Sequence, residues 1–498
     1  KGVPIRIEIG PKDIQNKSGY NMKKETTLGI TVKKEDDFTE WFVQIIQKSG
    51  LADYSAVSGC IVFKPYAYSI WEKIKGVTDK KIKELGVENA YFPIFIPESL
   101  LTKEKEHVEG FSPEVAWVTH GGNTKLGERL AVRPTSEAIM YDSYSRWIRS
   151  WRDLPLRLNQ WNNVVRWEFK HPVPFLRTRE FLWNEGHTAF ATQKEADKEI
   201  DDIMNMWKDI VTNHLALHGV SGKKSDKEKF AGALSTNAIE FIMPNGRAIQ
   251  GPDAHSDGQN FAKAYDIKFI DKDESEKYVW QNTWAITTRM IGVMVAIHSD
   301  NKGLVLPPML APTKVVIIPI YKDDSRKKVI DEAKKIEKKL KSFDVYLDDR
   351  DEYSPGWKFN AWELKGVPIR IEIGPKDIQN KSVVIVRRDT GKKEIVPFDK
   401  VDDKVTQLLT SIQNDLLNNS KKMFEEKVVK VKDMADFIKT IKGQKVGLGE
   451  FCGESSCEDM IKDKSGGATS RVSIADAKGK CFQCGKKAKR VFYFGKAY

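Results

Sequence analysis

Apolar residues in the first part of the chain alternate between helical and strand spacing. In Phe38–Ser49 (FTEWFVQIIQKS) they return every three or four positions, which predicts an amphipathic helix. Pro65 is placed to open a second helix, because the first turn of a helix does not need the N–H that proline lacks. Ala90–Pro97 is a predicted strand that contains Pro93, and proline confines a strand to an edge or an interface.

From Lys314 onward, buried strands and amphipathic helices alternate at a spacing typical of a small α/β domain with a mixed sheet. The predicted elements are the strand Val315–Ile320, a helix from Ser325, the strand Val345–Leu347, a helix over Lys358–Leu364, the strand Ile369–Ile373 and the hairpin Val383–Val396. A basic helix follows from Lys404. We therefore predict three domains, at residues 19–312, 313–403 and 404–498.

Composition narrows the class of protein. The chain of 498 residues is 40% hydrophobic and 31% charged, which is the balance of a globular protein of about two to four domains. Its net charge of +12 and pI of about 9.1 favour a polyanionic partner. No apolar run approaches the roughly 20 residues of a membrane helix, and no signal-peptide pattern opens the chain. We therefore expect a cytoplasmic protein that does not bind membranes.

One segment of the chain occurs twice. Lys1–Ser18 (KGVPIRIEIGPKDIQNKS) recurs unchanged as Lys365–Ser382. Diverged repeats do not stay identical over such a length, and only the second copy lies between α/β elements. We interpret residues 1–18 as an artefact that does not belong to the fold.

Four of the five cysteines are clustered near the end of the chain. Cys452 and Cys457 are followed, after a spacer, by Cys481 and Cys484. Zinc takes four thiolates in closed structural sites, and this spacing is typical of such a site. A catalytic role is not expected, because four thiolates leave no open position on the metal. The alternative is a set of reduced cysteines without metal.

The densest group of charged and aromatic residues lies in the segment NNVVRWEFKHPVPFLRTREFLWNE. Its first half predicts a strand with Arg166 and Glu168 on one face, followed by a proline-rich turn. Arg177, Phe181 and Glu185 then follow at intervals of four. Arginine binds phosphate or carboxylate with a planar fork and an aromatic ring stacks on a base, so the set suits a flat, anionic ligand. The alternative is a strand with a structural ion pair.

This pattern resembles motif 2 of the class II aminoacyl-tRNA synthetases. The helix and strand that precede Pro97 resemble motif 1, which builds the dimer interface of that class, and Trp280–Arg289 resembles motif 3. RPTSE at Arg133–Glu137, WNEGHT at Trp183–Thr188 and the four cysteines narrow the resemblance to prolyl-tRNA synthetases of the archaeal and eukaryotic type. The stretch between motifs 2 and 3 is too short for the editing insertion of bacterial prolyl enzymes.

The resemblance implies an α/β multidomain fold. Its parts would be a class II antiparallel-sheet catalytic core with helices, an α/β anticodon-binding domain and a C-terminal α/β zinc-binding domain. The implied reaction joins L-proline to tRNA(Pro) through a prolyl-adenylate made from ATP, in a homodimer. The cysteines would hold a structural zinc ion, and Mg²⁺ would accompany ATP. The open alternatives are another class IIa synthetase, or an inactive synthetase-like module that binds RNA or regulates.

The resemblance also implies roles for single residues. Arg166 and Arg289 would be the catalytic residues. The implied ATP-binding residues are Arg166, Glu168, Arg177, Thr178, Phe181, Gln250, Gln281, Thr287 and Arg289. The implied proline-binding residues are Thr135, Glu137, Arg166, Trp183, His187, His255 and Thr283. The basic residues of the hairpin Val383–Val396 would bring positive charge to RNA, or would simply form a solvated surface.

The chain departs from the family pattern in Gly246–Phe261 (GRAIQGPDAHSDGQNF). Asp253 stands where the family has a threonine that touches ATP and substrate, and Asp257 replaces an apolar residue. Two additional carboxylates near a triphosphate are unfavourable unless a metal or an amine meets them. The partners of these two side chains therefore bear on the proposed substrates.

Overall fold

The computed structural model describes residues 29–107, 114–168 and 172–498. The repeated segment Lys1–Ser18 lies outside the described residues. Across the described ranges, no helix combines the length and the apolar character needed to cross a membrane.

Local sequence signals fix where the helices begin. The Asp37 carboxylate accepts hydrogen bonds from the N–H groups of Thr39 and Glu40, both at 3.0 Å, and caps the first predicted helix. Thr192 and Glu195 form a capping box. The helices are α1 (Phe38–Lys48), α2 (Pro65–Glu84), α3 (Glu98–His107), α4 (Glu137–Trp147), α5 (Gln193–Asp209), α6 (Asn260–Tyr265), α7 (Arg289–His298), α8 (Arg326–Lys339), α9 (Pro355–Leu364), α10 (Pro375–Gln379), α11 (Val401–Lys427), α12 (Met434–Lys442) and α13 (Ser455–Ser465).

The strands follow the same chain order. They are β1 (Ala52–Tyr54), β2 (Ile61–Phe63), β3 (Glu88–Asn89), β4 (Phe95–Pro97), β5 (Trp117–Gly121), β6 (Thr124–Val132), β7 (Leu156–Val165), β8 (Glu180–Phe190), β9 (Val220–Lys223), β10 (Ser235–Ile242), β11 (Ala248–Gly258), β12 (Lys268–Ile270), β13 (Glu276–Tyr278), β14 (Trp280–Thr287), β15 (Val315–Pro319), β16 (Val345–Leu347), β17 (Ile369–Ile373), β18 (Ser382–Arg387), β19 (Lys393–Pro397), β20 (Val428–Lys430), β21 (Val446–Phe451), β22 (Ala468–Asp476) and β23 (Arg490–Lys496).

The largest sheet has eleven strands in the order β20-β21-β23-β22-β9-β10-β11-β14-β8-β7-β3. Its run from β9 to β7 is antiparallel throughout, as the class II resemblance implied. The C-terminal strands continue this sheet, because β22 pairs with β9 at Ser473 and Lys223. The sequence did not predict that continuity. The main hydrophobic core packs buried side chains of α1, α2, α5 and α7 together with side chains of the central strands.

The strand predicted over Ala90–Pro97 is wrong in its first half, since only β4 forms there. The N–H of Phe92 donates to Gln160 Oε1 at 2.7 Å, and its carbonyl accepts from Arg133 at 2.8 Å. These side chains satisfy the backbone groups that a neighbouring strand would otherwise pair with. The chain can therefore pass Pro93 without a ladder.

The strand predicted to carry Arg166 and Glu168 ends before both residues. The Arg166 N–H still donates to the Arg179 carbonyl at 2.7 Å, but the Trp167 N–H turns to the Glu114 carbonyl at 3.0 Å. Glu168 therefore lies in a turn. It does not share a strand face with Arg166.

Residues 315–397 form the mixed α/β unit that the alternating pattern predicted. Its five-stranded sheet has the order β16-β15-β17-β18-β19, with β15 parallel to both of its neighbours. Helix α11 runs across the domain boundary predicted between residues 403 and 404. It contributes Val405, Leu408 and Ile412 to the core of this unit, so its first half packs with the preceding sheet.

Candidate active site

A cavity of about 250 Å³ opens on one face of the central sheet, where β8, β11 and β14 lie side by side. Most of the predicted ligand-binding residues line it. They are Thr135, Glu137, Arg166, Arg177, Thr178, Phe181, Trp183, His187, Gln250, His255, Thr283, Thr287 and Arg289. Segments that are distant in the sequence thus meet at one site.

Two of the predicted residues do not line this cavity. Glu168 lies in the turn after β7, and its Oε2 is buried without a hydrogen-bond partner among the described residues. Gln281 is fully buried on β14, and within the same part of the chain neither its amide oxygen nor its amide nitrogen has a partner. The structure therefore separates these two side chains from the rest of the predicted set.

Arg166 and Arg289 place two guanidinium groups at the cavity. Arg166 donates from Nε to the Pro134 carbonyl at 3.1 Å and lies 5.5 Å from the ring centres of Phe181 and Trp183. Arg289, the first residue of α7, donates to the Leu176 carbonyl and to the Gln250 carbonyl, each at 3.1 Å.

Each arginine uses only part of its donor fork on the backbone. Burial, and then the charge of Arg166, lowers the pKa of Arg289 to about 10. Arg289 remains cationic at neutral pH. An anion placed between the two guanidinium groups would relieve both their repulsion and the cost of burying them.

Glu185, which lies on the same face of β8 as Phe181 and Trp183, is the centre of a hydrogen-bond network in the cavity. Its carboxylate accepts from the backbone N–H of Ser136 at 3.0 Å, from the Ser136 hydroxyl, from Gln160 at 3.0 Å and from Asn162 at 2.6 Å. His187 Nε2 lies 3.2 Å from it. This network holds the start of α4 against β8. The Ser136 side chain hydrogen-bonds Glu185 and therefore does not cap the helix.

The pKa values of the Glu185–His187 pair follow from these contacts. Burial alone would raise the pKa of Glu185, but the hydrogen bond and charge of His187, with the other donors, lower it to about 2. Burial alone would lower the pKa of His187, but the Glu185 hydrogen bond raises it. The pair is therefore a buried ion pair in mildly acidic solution.

Thr135 and Glu137 lie beside this network, and the Thr135 hydroxyl donates to the Glu137 carboxylate. Glu137 is 4% exposed and lines the cavity. A buried carboxylate at the cavity wall is an acceptor suited to an amine or imine nitrogen that carries positive charge.

His255 has partners that the sequence did not predict. Its Nδ1 lies 2.9 Å from Thr236 Oγ1, and its ring stacks on Phe230 with 4.7 Å between ring centres. Burial lowers the pKa of His255, so the imidazole is neutral near pH 7. Phe230 belongs to a polar, basic stretch without a motif, which gave no signal that it would reach the site.

The two unexpected carboxylates have different surroundings. Asp253 lines the cavity, accepts from Gln250 Nε2 at 2.6 Å and lies 3.6 Å from His255 Nε2. Asp257 is fully buried, with Thr283 beside its carboxylate. Burial, and then the charge of Glu137, raises the pKa of Asp257 well above its usual range. Asp257 is therefore a neutral carboxylic acid over much of the acidic range and adds little negative charge to the pocket.

Replacing Asp257 with asparagine is expected to flatten the dependence of stability on pH. The folded state holds the Asp257 proton more tightly than the unfolded state, so stability falls as pH rises above the ordinary value of 3.8 toward the folded pKa. In the variant, the slope of the unfolding free energy against pH should be smaller by up to about 1.4 kcal/mol per pH unit. Urea titrations from pH 4.5 to 7 measure it, with Asp476→Asn, 88% exposed, as the control. Equal slopes in the wild type and Asp257→Asn would refute this account.

The four clustered cysteines meet at the end of the chain. The Sγ atoms of Cys457 and Cys481 are 3.7 Å apart, those of Cys452 and Cys484 are 3.8 Å apart, and all four lie within 4.8 Å of one another. Zinc–sulfur bonds of about 2.3 Å in a tetrahedron place neighbouring sulfurs about 3.8 Å apart. The donor set and its spacing therefore fit a structural zinc ion.

Replacing Cys481 with serine is expected to remove bound zinc and to destabilise the C-terminal strands. The metal would join Cys457, on α13, to the loop that carries the second cysteine pair, and zinc binding supplies folding free energy in small domains. Metal content by mass spectrometry of the native protein should fall from one zinc per chain to none. Cys60→Ser, remote in sequence from the cluster, should keep the metal. Zinc-free wild-type protein with unchanged thermal unfolding would contradict the prediction.

The antiparallel sheet, with two arginines and a buried acid network on one face, defines a class II aminoacyl-tRNA synthetase core. The family described as "tRNA synthetase class II core domain (G, H, P, S and T)" matches residues 118–298, "Anticodon binding domain" matches 314–408, and "Prolyl-tRNA synthetase, C-terminal" matches 434–498.

Individual relatives identify the family within class II more precisely. A proline–tRNA ligase of Natranaerobius thermophilus is 49% identical over 482 residues, which cover 95% of this chain and 99% of the relative. A bifunctional glutamate/proline–tRNA ligase of Drosophila melanogaster is 49% identical over 89% of this chain and 26% of its own length. The crystal structure of prolyl-tRNA synthetase from Cryptosporidium parvum, complexed with halofuginone and AMPPNP, is 46% identical, with a TM-score of 0.90 over 95% of this chain and 100% of that one. The chain belongs to the prolyl-tRNA synthetase family.

Proposed function

We propose that this chain activates L-proline with ATP to prolyl-adenylate and then transfers proline to the 3′ end of tRNA(Pro). The observation that carries the proposal is the pairing, in one cavity, of a cationic wall at Arg166 and Arg289 with an acidic wall at Glu137 and Glu185. The relatives matched over nearly their full length are proline–tRNA ligases, which favours this reaction over another class IIa activity or an inactive module.

The chemistry needs alignment and charge more than a base. Proline's carboxylate is already a nucleophile at neutral pH and attacks the α-phosphate of ATP in line, with pyrophosphate as the leaving group. The barrier is therefore lowered chiefly by positioning and by cations aimed at the phosphates. Arg166 would hold both the proline carboxylate and the α-phosphate, because within the described residues its guanidinium hydrogen-bonds through Nε alone.

On the ATP side of the cavity, arginine side chains would bind the phosphates and an aromatic ring would bind the base. Phe181 would stack on adenine, and Arg177 with Arg289 would hold the β- and γ-phosphates. The other proposed ATP ligands are Thr178, Gln250 and Thr287, which line the cavity. Glu168 and Gln281 do not line it, and their side chains would have to turn toward ATP to bind it. Mg²⁺ bound with ATP would neutralise phosphate charge, and Asp253 is the lining carboxylate that suits an oxygen-preferring cation there.

The proline side would use the acidic wall. Glu137 and Thr135 would accept hydrogen bonds from the charged imino nitrogen, and Trp183 would form a flat wall for the pyrrolidine ring. The remaining proposed contacts are His187, His255 and Thr283. The neutral His255 imidazole adds no repulsion to the substrate's positive nitrogen.

The tRNA contacts would extend beyond the catalytic unit. A cavity of about 310 Å³ in the middle unit is lined by Arg370, Arg387, Arg388 and Lys393, next to the aromatic ring of Phe359. Basic groups beside an aromatic ring suit a nucleotide base and its phosphate. Each of the four is paired with a carboxylate in this structure, so an RNA phosphate would have to compete with Glu372, Asp389 and Asp300. We propose the division 19–312, 313–403 and 404–498 as catalytic, anticodon-binding and zinc-binding parts, with the first half of α11 packed on the middle part across the second boundary. We also propose a homodimer that works in the cytoplasm.

Proline-dependent ATP–pyrophosphate exchange tests this proposal, with proline, alanine, cysteine and threonine compared side by side. We expect strong exchange with proline and weaker, measurable exchange with alanine or cysteine, because a pocket excludes smaller molecules poorly, by roughly 10²-fold. Absence of exchange with every amino acid, from folded and zinc-loaded protein, would refute the catalytic proposal. Exchange with proline alone would refute only the prediction of misactivation.

A further inference from the structure

Strands of the C-terminal part of the chain contact β9 and the turn that follows it. This turn leads to the side of the cavity that we propose binds proline. Strand β22 pairs with β9 through Ser473 and Lys223, and the Ser473 hydroxyl donates to the Lys223 carbonyl at 3.1 Å. A Cβ at Gly222 would lie 2.1 Å from the Ser473 carbonyl oxygen. Glycine is therefore required there for the two parts to approach this closely.

A buried charge cluster reinforces this junction. Arg471, on β22, donates from Nε to Glu240 at 3.1 Å and from Nη2 to both Glu240 oxygens at 3.0 Å. Lys224 donates to the same carboxylate from the end of β9. The side chains of Arg471 and Glu240 are only 7% and 3% exposed. Because the pair is desolvated, its geometry is fixed far more firmly than that of a surface ion pair.

A second contact with the C-terminal part is made by Ser225, the residue after Lys224. The Ser470 hydroxyl donates to the Ser225 hydroxyl at 2.9 Å, and the Ser225 hydroxyl donates to the Glu458 carboxylate at 3.2 Å. The Glu228 N–H in turn donates to the Ser225 hydroxyl at 3.2 Å. The C-terminal part thus fixes the turn that follows β9.

This turn places the ring of Phe230 at the cavity wall. The Lys229 N–H donates to the Ser225 carbonyl at 3.0 Å, and the Phe230 N–H donates to Thr236 Oγ1 at 2.9 Å. Thr236 also contacts His255 Nδ1, and Phe230 stacks on the His255 ring. Phe230, Thr236 and His255 all line the cavity.

We propose that Arg471 is a positioning residue for the proline pocket, acting through Glu240, Lys224 and the turn that places Phe230 on His255. The inference rests on the proposed function, because it assigns the proline side of the cavity to His255 and its neighbours. The ATP side is bounded by Arg166 and Arg289, which make no contact with this turn in the described structure. Glu240 also contributes to the electrostatic environment of Arg289, so Arg471 should affect proline binding chiefly and ATP binding to a smaller degree.

Arg471→Met tests the proposal in pyrophosphate exchange. Glu240 and Lys224 remain as a neutral pair, so the fold should survive. We expect KM for proline to rise about tenfold, while kcat and KM for ATP change by less than about twofold. Hydrogen–deuterium exchange of the amides from 224 to 236 should quicken. Arg471→Lys, which keeps the charge but not the fork, should give an intermediate KM.

Arg490→Met is the matched control, since Arg490 is a half-exposed arginine on the neighbouring strand β23. It should leave every parameter unchanged. If Arg471→Met fails to fold, Ser470→Ala removes one of the two hydrogen bonds that tie Ser225 to the C-terminal part and leaves the bond to Glu458, so KM for proline should shift in the same direction by a smaller factor. An unchanged proline KM in folded Arg471→Met, or equal changes in both KM values, would overturn the proposal. Wild-type protein without proline exchange would instead refute the proposed function, and deuterium exchange would still report the coupling.

Discussion

Arg289→Gln is expected to lower kcat for proline-dependent pyrophosphate exchange about a thousandfold, or about 4 kcal/mol. The Arg289 guanidinium is partly buried at the cavity wall, and its Nε and Nη1 are fixed by the Leu176 and Gln250 carbonyls. Its remaining donors are therefore directed before ATP binds. Glutamine cannot supply the positive charge that the leaving pyrophosphate needs, so the loss should fall mainly on the chemical step.

Arg289→Lys separates charge from geometry. Lysine keeps a cation but cannot span both carbonyls and the phosphates at once, so we expect about a hundredfold loss. Arg146→Gln, a surface change on α4, is the control, because Arg146 is 57% exposed and contacts Asp142 and Ser143 of its own helix. If Arg289→Gln raised only KM for ATP and left kcat intact, Arg289 would bind the ground state without assisting the reaction.

Site residues that belong to a short, recognisable sequence segment could be predicted from the sequence. Arg289 follows an apolar strand and opens a helix, and both elements can be recognised from spacing alone. The family could be predicted because several such segments occur in one order, and the comparisons with known proteins confirmed it. The cysteine cluster was predicted for the same reason, since ligand spacing is a local property of the chain.

What the sequence did not predict depends on pairing between distant segments. Hydrophobic spacing indicates a strand but not its neighbour, so the junction of β22 with β9 was not expected. Phe230 reaches His255 only because that junction holds the turn before it. The broken strand at Phe92 has the same origin, because the side chains of Arg133 and Gln160 that satisfy its backbone come from remote strands.

Glu185→Gln is expected to destabilise the protein by about 3–5 kcal/mol, because it leaves a buried histidine without its counter-charge. The sign of the pH dependence follows from both partners. The lowered pKa of Glu185 gives stability that is present above its ordinary value of 4.5 and is lost as pH falls toward about 2. The raised pKa of His187 gives stability that is present below its ordinary value of 6.5 and is lost as pH rises through the folded value.

The difference between wild type and Glu185→Gln should therefore be largest between about pH 4.5 and 6.5 and should shrink on either side. Urea unfolding at pH 3, 5.5 and 8.5 measures it. Glu180→Gln is the control, because Glu180 lies on the same strand, is only partly buried and accepts one hydrogen bond, from Asn163 at 2.7 Å. A loss of equal size at all three pH values would mean that Glu185 acts as a hydrogen-bond acceptor alone. In that case His187 would be neutral in the folded protein, and the acidic wall would rely on Glu137 for its charge.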